Sequence, residues 1–362
     1  MNIINASTIT AIPHHEECAC SFCTNKQTKS VRLVIIHDTD ADGIAAAWAI
    51  LNGFKNEYSE TILIPQRAGD NEIPLNLQDN DSVYLVDRSY PWGILLSLSE
   101  QVFSVTVIDH HKTALLHYCE EAVESNKYEL ESTTLCNTSL FFDYGNITVH
   151  IDLTHSACML AYLWSKEHCI DPDPSIKVPW FIEYIEDRDM WWFKLPDSKA
   201  INAGLYYSGI TIELLDGLCN TNSIPSVIHI TKDIGTVVNN TVLKIIKGIA
   251  HGPTVRNRRL IYEETLHGTP SIIHSYVFVC CPFSLISELG DYMLNCKDEE
   301  FNTPDVVVCY NQTAEGYIYS LRSKIDVLWL AKKFNGGGHP KACGFSSTLS
   351  PEFVLAMYQN HQ

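Results

Sequence analysis

Three short apolar runs, each followed at once by acidic residues, constrain the fold of this chain more than any other feature. The runs are Val31–His37, Ser82–Val86 and Val102–Ile108. Continuous apolar runs of this length are typical of strands that are buried on both faces of a parallel sheet. After Gly43, apolar residues recur at the spacing of one helical face. Strands that alternate with helices predict an α/β domain with a mostly parallel sheet.

The pattern along the chain predicts four parts. We expect residues 1–30 to be an N-terminal extension, residues 31–195 to form the first domain and residues 196–265 to be a mostly helical connector. Residues 266–362 are expected to form a smaller α/β domain. In this last part we predict strands and helices over Ser275–Cys281, Ser284–Asn295, Asp305–Tyr310, Gly316–Arg322, Asp326–Phe334 and Ala342–Ser347.

Charge and composition narrow the classes of function. The chain has 25 Lys and Arg against 43 Asp and Glu, a formal net charge of −18. This charge disfavours a protein that coats long nucleic acid, because that mode of binding needs a positive surface. No apolar stretch approaches the ~20 residues of a membrane span, and the first residues lack the pattern of a secretory signal. Together with the 13 scattered cysteines, these features predict a cytoplasmic protein with reduced thiols and no membrane partner.

Acidic and imidazole side chains follow the three predicted strands directly. Because the carboxyl ends of parallel strands meet at one edge of a sheet, these side chains are expected to converge there. Clustered carboxylates repel one another unless cations lie between them, and oxygen and imidazole donors suit Mn²⁺ or Mg²⁺. The alternatives are a solvated acidic turn and a calcium loop, although the twelfth position of such a loop is Ala49 rather than Glu. The residues concerned are Asp38, Asp40, Asp42, Asp87, Asp109, His110 and His111.

These motifs together resemble those of the DHH phosphoesterase superfamily. The triplet Asp109-His110-His111 matches its signature, HDTDADG resembles its first motif, and YLVDRS and YIEDRD resemble its second and fourth. The segment SLRSKIDVLWLAKKFNGGGHPKACGF resembles the C-terminal DHH-associated domain. The resemblance covers residues 31–190 and 271–348. It implies a metal-dependent hydrolase of phosphate esters or anhydrides, with two divalent ions, Mn²⁺ before Mg²⁺, in a cleft between the domains.

The resemblance also implies a role for each matching residue. The catalytic triplet is Asp109, His110 and His111, in which Asp109 supports His110 and His111 faces the phosphate. Asp189 is an alternative to Asp187 as the ligand from the fourth motif. The implied metal ligands are Asp38, Asp40, Asp42, Asp87, His110 and Asp187. The implied substrate-binding residues are His111, Arg322, Ser323, Gly336, Gly337, Gly338 and His339. The glycine run Gly336-Gly337-Gly338, between Asn335 and His339, predicts a loop whose backbone N–H groups can approach phosphate closely.

Among the activities that the resemblance implies, we expect hydrolysis of short oligonucleotides or small nucleotides, as in nano-RNases and phosphatases of 3′-phosphoadenosine 5′-phosphate. Long duplex nucleic acid is not an expected partner, and a homodimer is compatible with the resemblance. One alternative is an exopolyphosphatase or pyrophosphatase. Another is a nucleotide sensor without turnover, although such a protein would be expected to lose metal-binding carboxylates, and here they are present.

Four weaker signals leave alternatives open. The cysteines and histidines near the start could bind zinc, although a second pair at finger spacing is missing. Trp191 and Trp192 could stack on a base or pack in a core, and His155 could face the cleft or be structural. The basic cluster of the connector could guide a nucleotide or be solvated. The candidate zinc ligands are His14, His15, Cys18, Cys20 and Cys23. The basic cluster of the connector is Arg256, Arg258 and Arg259.

Overall fold

The computed structural model of this chain describes most of both predicted domains. The described residues are 32–67, 69–123, 132–169, 177–221, 223–252, 256–261, 273–296 and 303–354. The predicted extension and its candidate zinc ligands lie outside these ranges. The side chains of the basic cluster at 256–259 also lie outside the description, although their backbone lies within it.

The first domain is built on a mostly parallel sheet. Among the described residues, seven strands form it: β1 (Arg32–His37), β2 (Glu60–Pro65), β3 (Asp81–Val86), β4 (Ser104–Asp109), β5 (Ser132–Leu135), β6 (Ser139–Tyr144) and β7 (Ile147–Asp152). Their order is β2-β1-β3-β4-β7-β6-β5. Strands β2, β1, β3, β4 and β7 are parallel, and β6 and β5 run antiparallel at one edge. The predicted α/β class is confirmed.

Helices cover both faces of this sheet, which explains why the middle of β1 is apolar. The helices are α1 (Ala41–Phe54), α2 (Trp92–Ser99), α3 (Lys112–Tyr118), α4 (Ala157–His168) and α5 (Trp180–Asp189). Leu33 and Ile35 pack with α1, α4 and α5 on one face, whereas Val34 and Ile36 pack with α2 and α3 on the other. All six residues of β1 are buried.

The predicted connector contains the helices α6 (Ser198–Tyr207), α7 (Ile212–Cys219) and α8 (Ile224–Ala250). It then continues into a strand, β8 (Arg256–Ile261), that pairs with the second sheet. The second domain therefore begins before residue 266, because the backbone of β8 completes the edge of its sheet. In the described part of the chain, no helix has the length and apolar character needed to cross a bilayer.

The second domain has a smaller mixed sheet. Its described strands are β8, β9 (Ile273–Cys280), β10 (Val306–Thr313), β11 (Gly316–Ser323), β12 (Gly337–His339) and β13 (Ala342–Ser347), in the order β12-β13-β11-β10-β9-β8. Its helices are α9 (Ile286–Asn295) and α10 (Leu328–Lys333). The glycine run, predicted as a loop, is the short strand β12, which pairs antiparallel with β13.

Ion pairs join the second domain to the first domain and to the connector. Arg188 at the end of α5 lies 2.6 Å from Glu288 of α9, and Lys199 of α6 lies 3.0 Å from Asp291 of the same helix. Helix α9 therefore closes one side of the space between the domains.

Candidate active site

The acidic motifs lie where three neighbouring parallel strands end. Asp38–Asp42 follow β1, Asp87 follows β3, and Asp109 is the last residue of β4. Gly43 allows α1 to begin directly behind this edge, because a Cβ there would meet the Asp38 carbonyl oxygen at 2.5 Å. The Asp40 side chain caps α1 by accepting the Gly43 N–H at 3.0 Å.

His110 lies among three carboxylates of different motifs. Its Nε2 is 3.6 Å from Asp42 Oδ2, 3.4 Å from Asp87 Oδ1 and 3.5 Å from Asp189 Oδ2. Asp87 Oδ1 and Asp189 Oδ2 are buried and have no hydrogen-bond partner among the described residues. Buried polar atoms without a partner are costly, which indicates that a ligand completes this cluster.

The electrostatics of the cluster favour a cation. Burial, with the charges of Asp40 and Asp42, raises the pKa of Asp87 well above its ordinary value. Burial and the same two carboxylates also raise the pKa of Asp189 well above its ordinary value. Positive charge between these groups would offset the repulsion between the carboxylates and the cost of burying them ionised. Carboxylate and imidazole donors, with no thiolate among them, fit divalent Mn²⁺ or Mg²⁺.

The first motif divides its three carboxylates between different positions. Asp40 and Asp42 line the cavity between the domains, whereas Asp38 is not among the described lining residues. The Asp38 carboxylate instead accepts the Thr39 N–H at 2.5 Å. Asp42 also accepts the N–H groups of Ala157 and Cys158, at 2.8 and 3.0 Å, and so caps α4. Asp40 and Asp42 are therefore better placed than Asp38 to hold an ion.

In the DHH triplet, the Asp109 side chain orients His111 rather than His110. Its Oδ1 lies 2.7 Å from His111 Nδ1, and its Oδ2 accepts the Ser89 hydroxyl at 2.5 Å. Burial alone would lower the pKa of His111, but the Asp109 carboxylate outweighs this effect and raises the pKa to about 9. The role of Ser89 is not predicted from the sequence, although Ser89 is the last residue of the second motif and follows Asp87 by two residues.

The fourth motif presents Asp189 to the cluster and turns Asp187 away from it. The Asp187 carboxylate accepts the N–H groups of Lys194 at 2.8 Å and Leu195 at 3.1 Å. Its carbonyl oxygen accepts the N–H groups of Trp192 and Phe193. Asp187 thus holds the loop after α5, and Asp189, the alternative from the sequence, takes the place beside His110.

A cavity of about 870 Å³ separates the acidic cluster from the second domain. One side is lined by Asp40, Asp42, His111 and Asp189, and the other by Arg322, Ser323 and His339, with Lys324 and Lys341. The His339 ring stacks on His111 with a centroid distance of 4.9 Å. Burial, with the nearby His111, lowers the pKa of His339 to about 3. Arg322 donates to Ser287 Oγ at 2.9 Å.

The three glycines before His339 allow close contacts within the second domain and between the domains. Gly336, Gly337 and Gly338 are not among the described residues that line the cavity. A Cβ on Gly337 would lie 3.2 Å from Thr113 Cγ2 of α3, whereas Gly338, with a φ of +124°, lies close to β13 of its own sheet. Gly337 therefore lets β12 approach the helix that follows the DHH triplet, which carries His339 to His111.

The placement of the motifs agrees with the resemblance found in the sequence. The motifs occur in the implied order, three of them at adjacent strand ends, and the second domain brings His339 onto the triplet.

Comparisons with known proteins give only distant likenesses. No protein-family model matches the chain. A protein of uncharacterised function from Acanthamoeba polyphaga mimivirus is 23% identical over 329 residues, covering 87% of this chain and 67% of that protein.

Solved structures give the same level of likeness. RecJ with Mn²⁺ from Thermus thermophilus is 14% identical with a TM-score of 0.49, over 91% of this chain and 51% of that one, so this chain spans about half of its length. Exonuclease RecJ bound to manganese is 13% identical with a TM-score of 0.47, over 91% of this chain and 88% of that one. A putative family II inorganic pyrophosphatase from Methanococcus jannaschii is 14% identical with a TM-score of 0.24, over 91% and 98%.

Two of the weaker predictions fall on described side chains. His155 Nδ1 lies 2.7 Å from Glu186 Oε1, and His155 is not among the described residues that line the cavity, which favours the structural role. Trp191 lines the cavity and is 40% exposed, whereas Trp192 is 38% exposed and is not among the described lining residues. The two tryptophans therefore differ in their surroundings.

Proposed function

We propose that this protein hydrolyses phosphate esters of short oligonucleotides or small nucleotides, with two divalent ions and Mn²⁺ as the preferred one. One observation carries the proposal: Asp42 and Asp189 line one side of a cavity and converge there on His110, and the other side of the cavity presents Arg322 and His339. Donors for cations therefore face donors for a phosphate across one space.

The first domain would hold the ions. Asp40, Asp42, Asp87, His110 and Asp189 are the residues whose side chains surround the space for them. When bound, divalent ions lower the pKa of water and neutralise charge on a phosphate undergoing in-line displacement. Asp42 is fixed by the N-terminus of α4, so its carboxylate is held in place before an ion binds.

In the metal-free protein, the histidines of the two domains differ in their pKa. Nearby carboxylates, Asp109 first among them, outweigh burial and raise the pKa of His111 to about 9, and His111 can donate an N–H to a phosphoryl oxygen or to the leaving oxygen. His339, with its pKa lowered to about 3, stays neutral and can donate one N–H. Arg322 adds a permanent positive charge whose fork geometry suits phosphate.

Two properties favour a small substrate over a long strand. The cavity of about 870 Å³ is within the range of small-molecule sites, which is about 300–1,000 Å³. The formal net charge of −18 opposes association with a long polyanion. Positive side chains are instead gathered inside the cavity, at Arg322, Lys324 and Lys341.

The test is Mn²⁺-dependent turnover at neutral pH. Substrates are 5′-labelled RNA and DNA from the dinucleotide upward, 3′-phosphoadenosine 5′-phosphate, a cyclic dinucleotide and polyphosphate, each also with EDTA. We expect the fastest cleavage on the shortest oligonucleotides or on the small nucleotides, and loss of it in EDTA and in His110→Ala.

Other outcomes would contradict the proposal in different ways. Phosphate release from polyphosphate alone would indicate the phosphoanhydride hydrolase. Binding of a dinucleotide without cleavage in any metal would indicate a sensor.

A further inference from the structure

Trp191 is an aromatic residue that the fold places in the cavity, next to the proposed metal ligands. It follows Asp189 by two residues, and two trans peptide units keep their Cα atoms within about 7 Å of each other. Its side chain is 40% exposed and lines the same cavity as Asp189 and Arg322. A large apolar side chain is therefore presented to the cavity at the edge of the acidic cluster.

The backbone holds Trp191 in this position at a conformational cost. Its φ is +56°, in the left-handed region that bulky residues rarely adopt, and Phe193 has a φ of +49°. The Trp191 N–H donates to the Arg188 carbonyl at 2.8 Å, and the following N–H groups donate to Asp187. The Phe193 ring packs edge-on against the indole, with centroids 4.9 Å apart. Strain that surrounding contacts maintain is common at ligand sites.

A second exposed aromatic residue lines this cavity. Tyr206 of α6 is 47% exposed, and the Arg188 guanidinium lies 5.4 Å from its ring centroid. Arg188 also pairs with Glu288 of α9 at 2.6 Å, so Tyr206 lies where the first domain, the connector and the second domain meet. Met190 and Leu294 add apolar lining. Phosphate, a charged and strongly hydrated group, gains nothing from such a surface.

We propose that Trp191 is the stacking surface of a nucleoside subsite in this cavity, with Tyr206 in its lining. The subsite takes the base of the nucleotide whose phosphate lies at the acidic cluster. This inference rests on the proposed function and narrows it, because it requires a base one ribose away from the phosphate rather than a bare phosphate chain. Aromatic stacking tolerates any base, since every base has a π face, so the subsite selects nucleotides without selecting sequence.

Trp192 provides a matched control within the same loop. It is also exposed, at 38%, but its ring lies under Lys194, with Nζ 4.6 Å from the centroid, and it is not among the described cavity residues. Replacing Trp192 removes an indole of similar exposure without changing the lining of the cavity. Trp191→Phe keeps a ring at the same backbone position, and Trp191→Ala removes it.

The experiment is calorimetric binding of AMP and of ribose 5-phosphate to the full chain with Mn²⁺. These ligands share ribose and phosphate and differ in the base. Stacking on an aromatic side chain contributes about 5- to 150-fold in affinity per base. We expect the wild type and Trp192→Ala to prefer AMP by at least about tenfold. Trp191→Ala should remove this preference by weakening AMP alone, and Trp191→Phe should keep part of it.

Equal affinity of the wild type for the two ligands would overturn the subsite, and so would an equal loss in Trp192→Ala and Trp191→Ala. Thermal unfolding of each variant shows whether the fold is kept, and Trp191→Phe tests the subsite if Trp191→Ala unfolds. Hydrolysis by the wild type is measured separately. An AMP preference without any hydrolysis supports the subsite and contradicts the proposed function, whereas hydrolysis without an AMP preference contradicts the subsite alone.

Discussion

The two walls of the cavity differ in how far their polar groups are satisfied. On the first-domain wall, a buried oxygen of Asp189 has no hydrogen-bond partner among the described residues, and the same holds for an oxygen of Asp87, which lies behind this wall beside His110. On the second-domain wall, Ser323 donates to the Asp305 carbonyl at 3.1 Å and accepts the Ile325 N–H at 3.0 Å, and Arg322 donates to Ser287. The first wall is completed by positive charge that a ligand brings, whereas the second has its shape before a ligand arrives.

The difference between the walls has a thermodynamic consequence. Carboxylates that are buried near one another oppose folding when no cation is present, because their charges are neither hydrated nor paired. A ligand that binds only the folded protein stabilises it by mass action. Divalent ions should therefore stabilise this protein through the first wall, and changes on the second wall should leave that stabilisation intact.

The largest expected effect comes from His110, which the three carboxylates surround. We expect His110→Ala to lower Mn²⁺-dependent kcat/KM by more than about 100-fold, since loss of an outer partner of a metal site alone costs about 10- to 100-fold. His155→Ala is the control, because His155 pairs with Glu186 and is not among the described cavity residues. Steady-state hydrolysis of a dinucleotide measures both. Activity of His110→Ala within a few-fold of the wild type would show that the cluster around His110 is not needed for hydrolysis.

The next comparison separates two aspartates of one helix. Asp189→Asn should weaken Mn²⁺ binding by about tenfold or more. It should not destabilise the metal-free protein, because it removes a buried carboxylate whose pKa is raised. Asp187→Asn should keep Mn²⁺ affinity but lose about 1–3 kcal/mol of stability, because its carboxylate accepts the N–H groups of Lys194 and Leu195. Calorimetric titration and chemical denaturation measure the two effects. A reversal of the pattern would restore Asp187 as the ligand.

Replacement of Asp87 is expected to change the stability of the metal-free protein by less than replacement of Asp187 does, and to raise it rather than lower it. The pKa of Asp87 is raised in the folded protein, so its contribution to stability is present at low pH and is lost as the pH rises through that value. Asp87→Asn should therefore stabilise the metal-free protein at neutral pH by about 1 kcal/mol. The same variant should lose most of the stabilisation by Mn²⁺. Denaturation in EDTA and in Mn²⁺ tests this, and a variant less stable than the wild type in EDTA would contradict it.

The smallest expected effect is a change in the pKa of one histidine, His111. Asp109→Asn should lower the pKa of His111 from about 9 toward the ordinary value of 6.5. Because the pKa of His111 is raised in the wild type, its protonation stabilises the fold fully below 6.5 and less as the pH rises toward 9. NMR titration of the metal-free histidines measures both values. An unchanged pKa of His111 would show that Asp109 is not its main partner.

The sequence predicts the parts of the fold in which burial is complete. Strands β1, β3 and β4 are mostly apolar and almost fully buried, because helices cover both faces of the sheet. Strand β7 is absent from the predicted elements, since Ile147–Asp152 alternates between buried and partly buried residues and gives a weaker pattern. The sequence predicts a loop in place of the glycine strand β12, because the shape of β12 depends on contacts with β13 and with Thr113 that are distant in sequence.

The sequence predicts the positions of the site residues that follow strands, but not of those that lie on a helix. A residue at the end of a parallel strand must lie at the carboxyl edge, whatever the packing around it. Asp187 and Asp189 belong to a helix, where residues two apart face different directions. Which of them meets His110 depends on how α5 packs, and this is a tertiary property. The exposure of Trp191 beside a buried Asp187 has the same origin.

Anomalous diffraction from a crystal of the full chain soaked in Mn²⁺ would show whether divalent ions bind among the carboxylates of the first wall. We expect two peaks in the space bounded by Asp40, Asp42, Asp87, His110 and Asp189. An empty cluster at saturating Mn²⁺, or peaks bound by Asp187 and not by Asp189, would contradict this expectation.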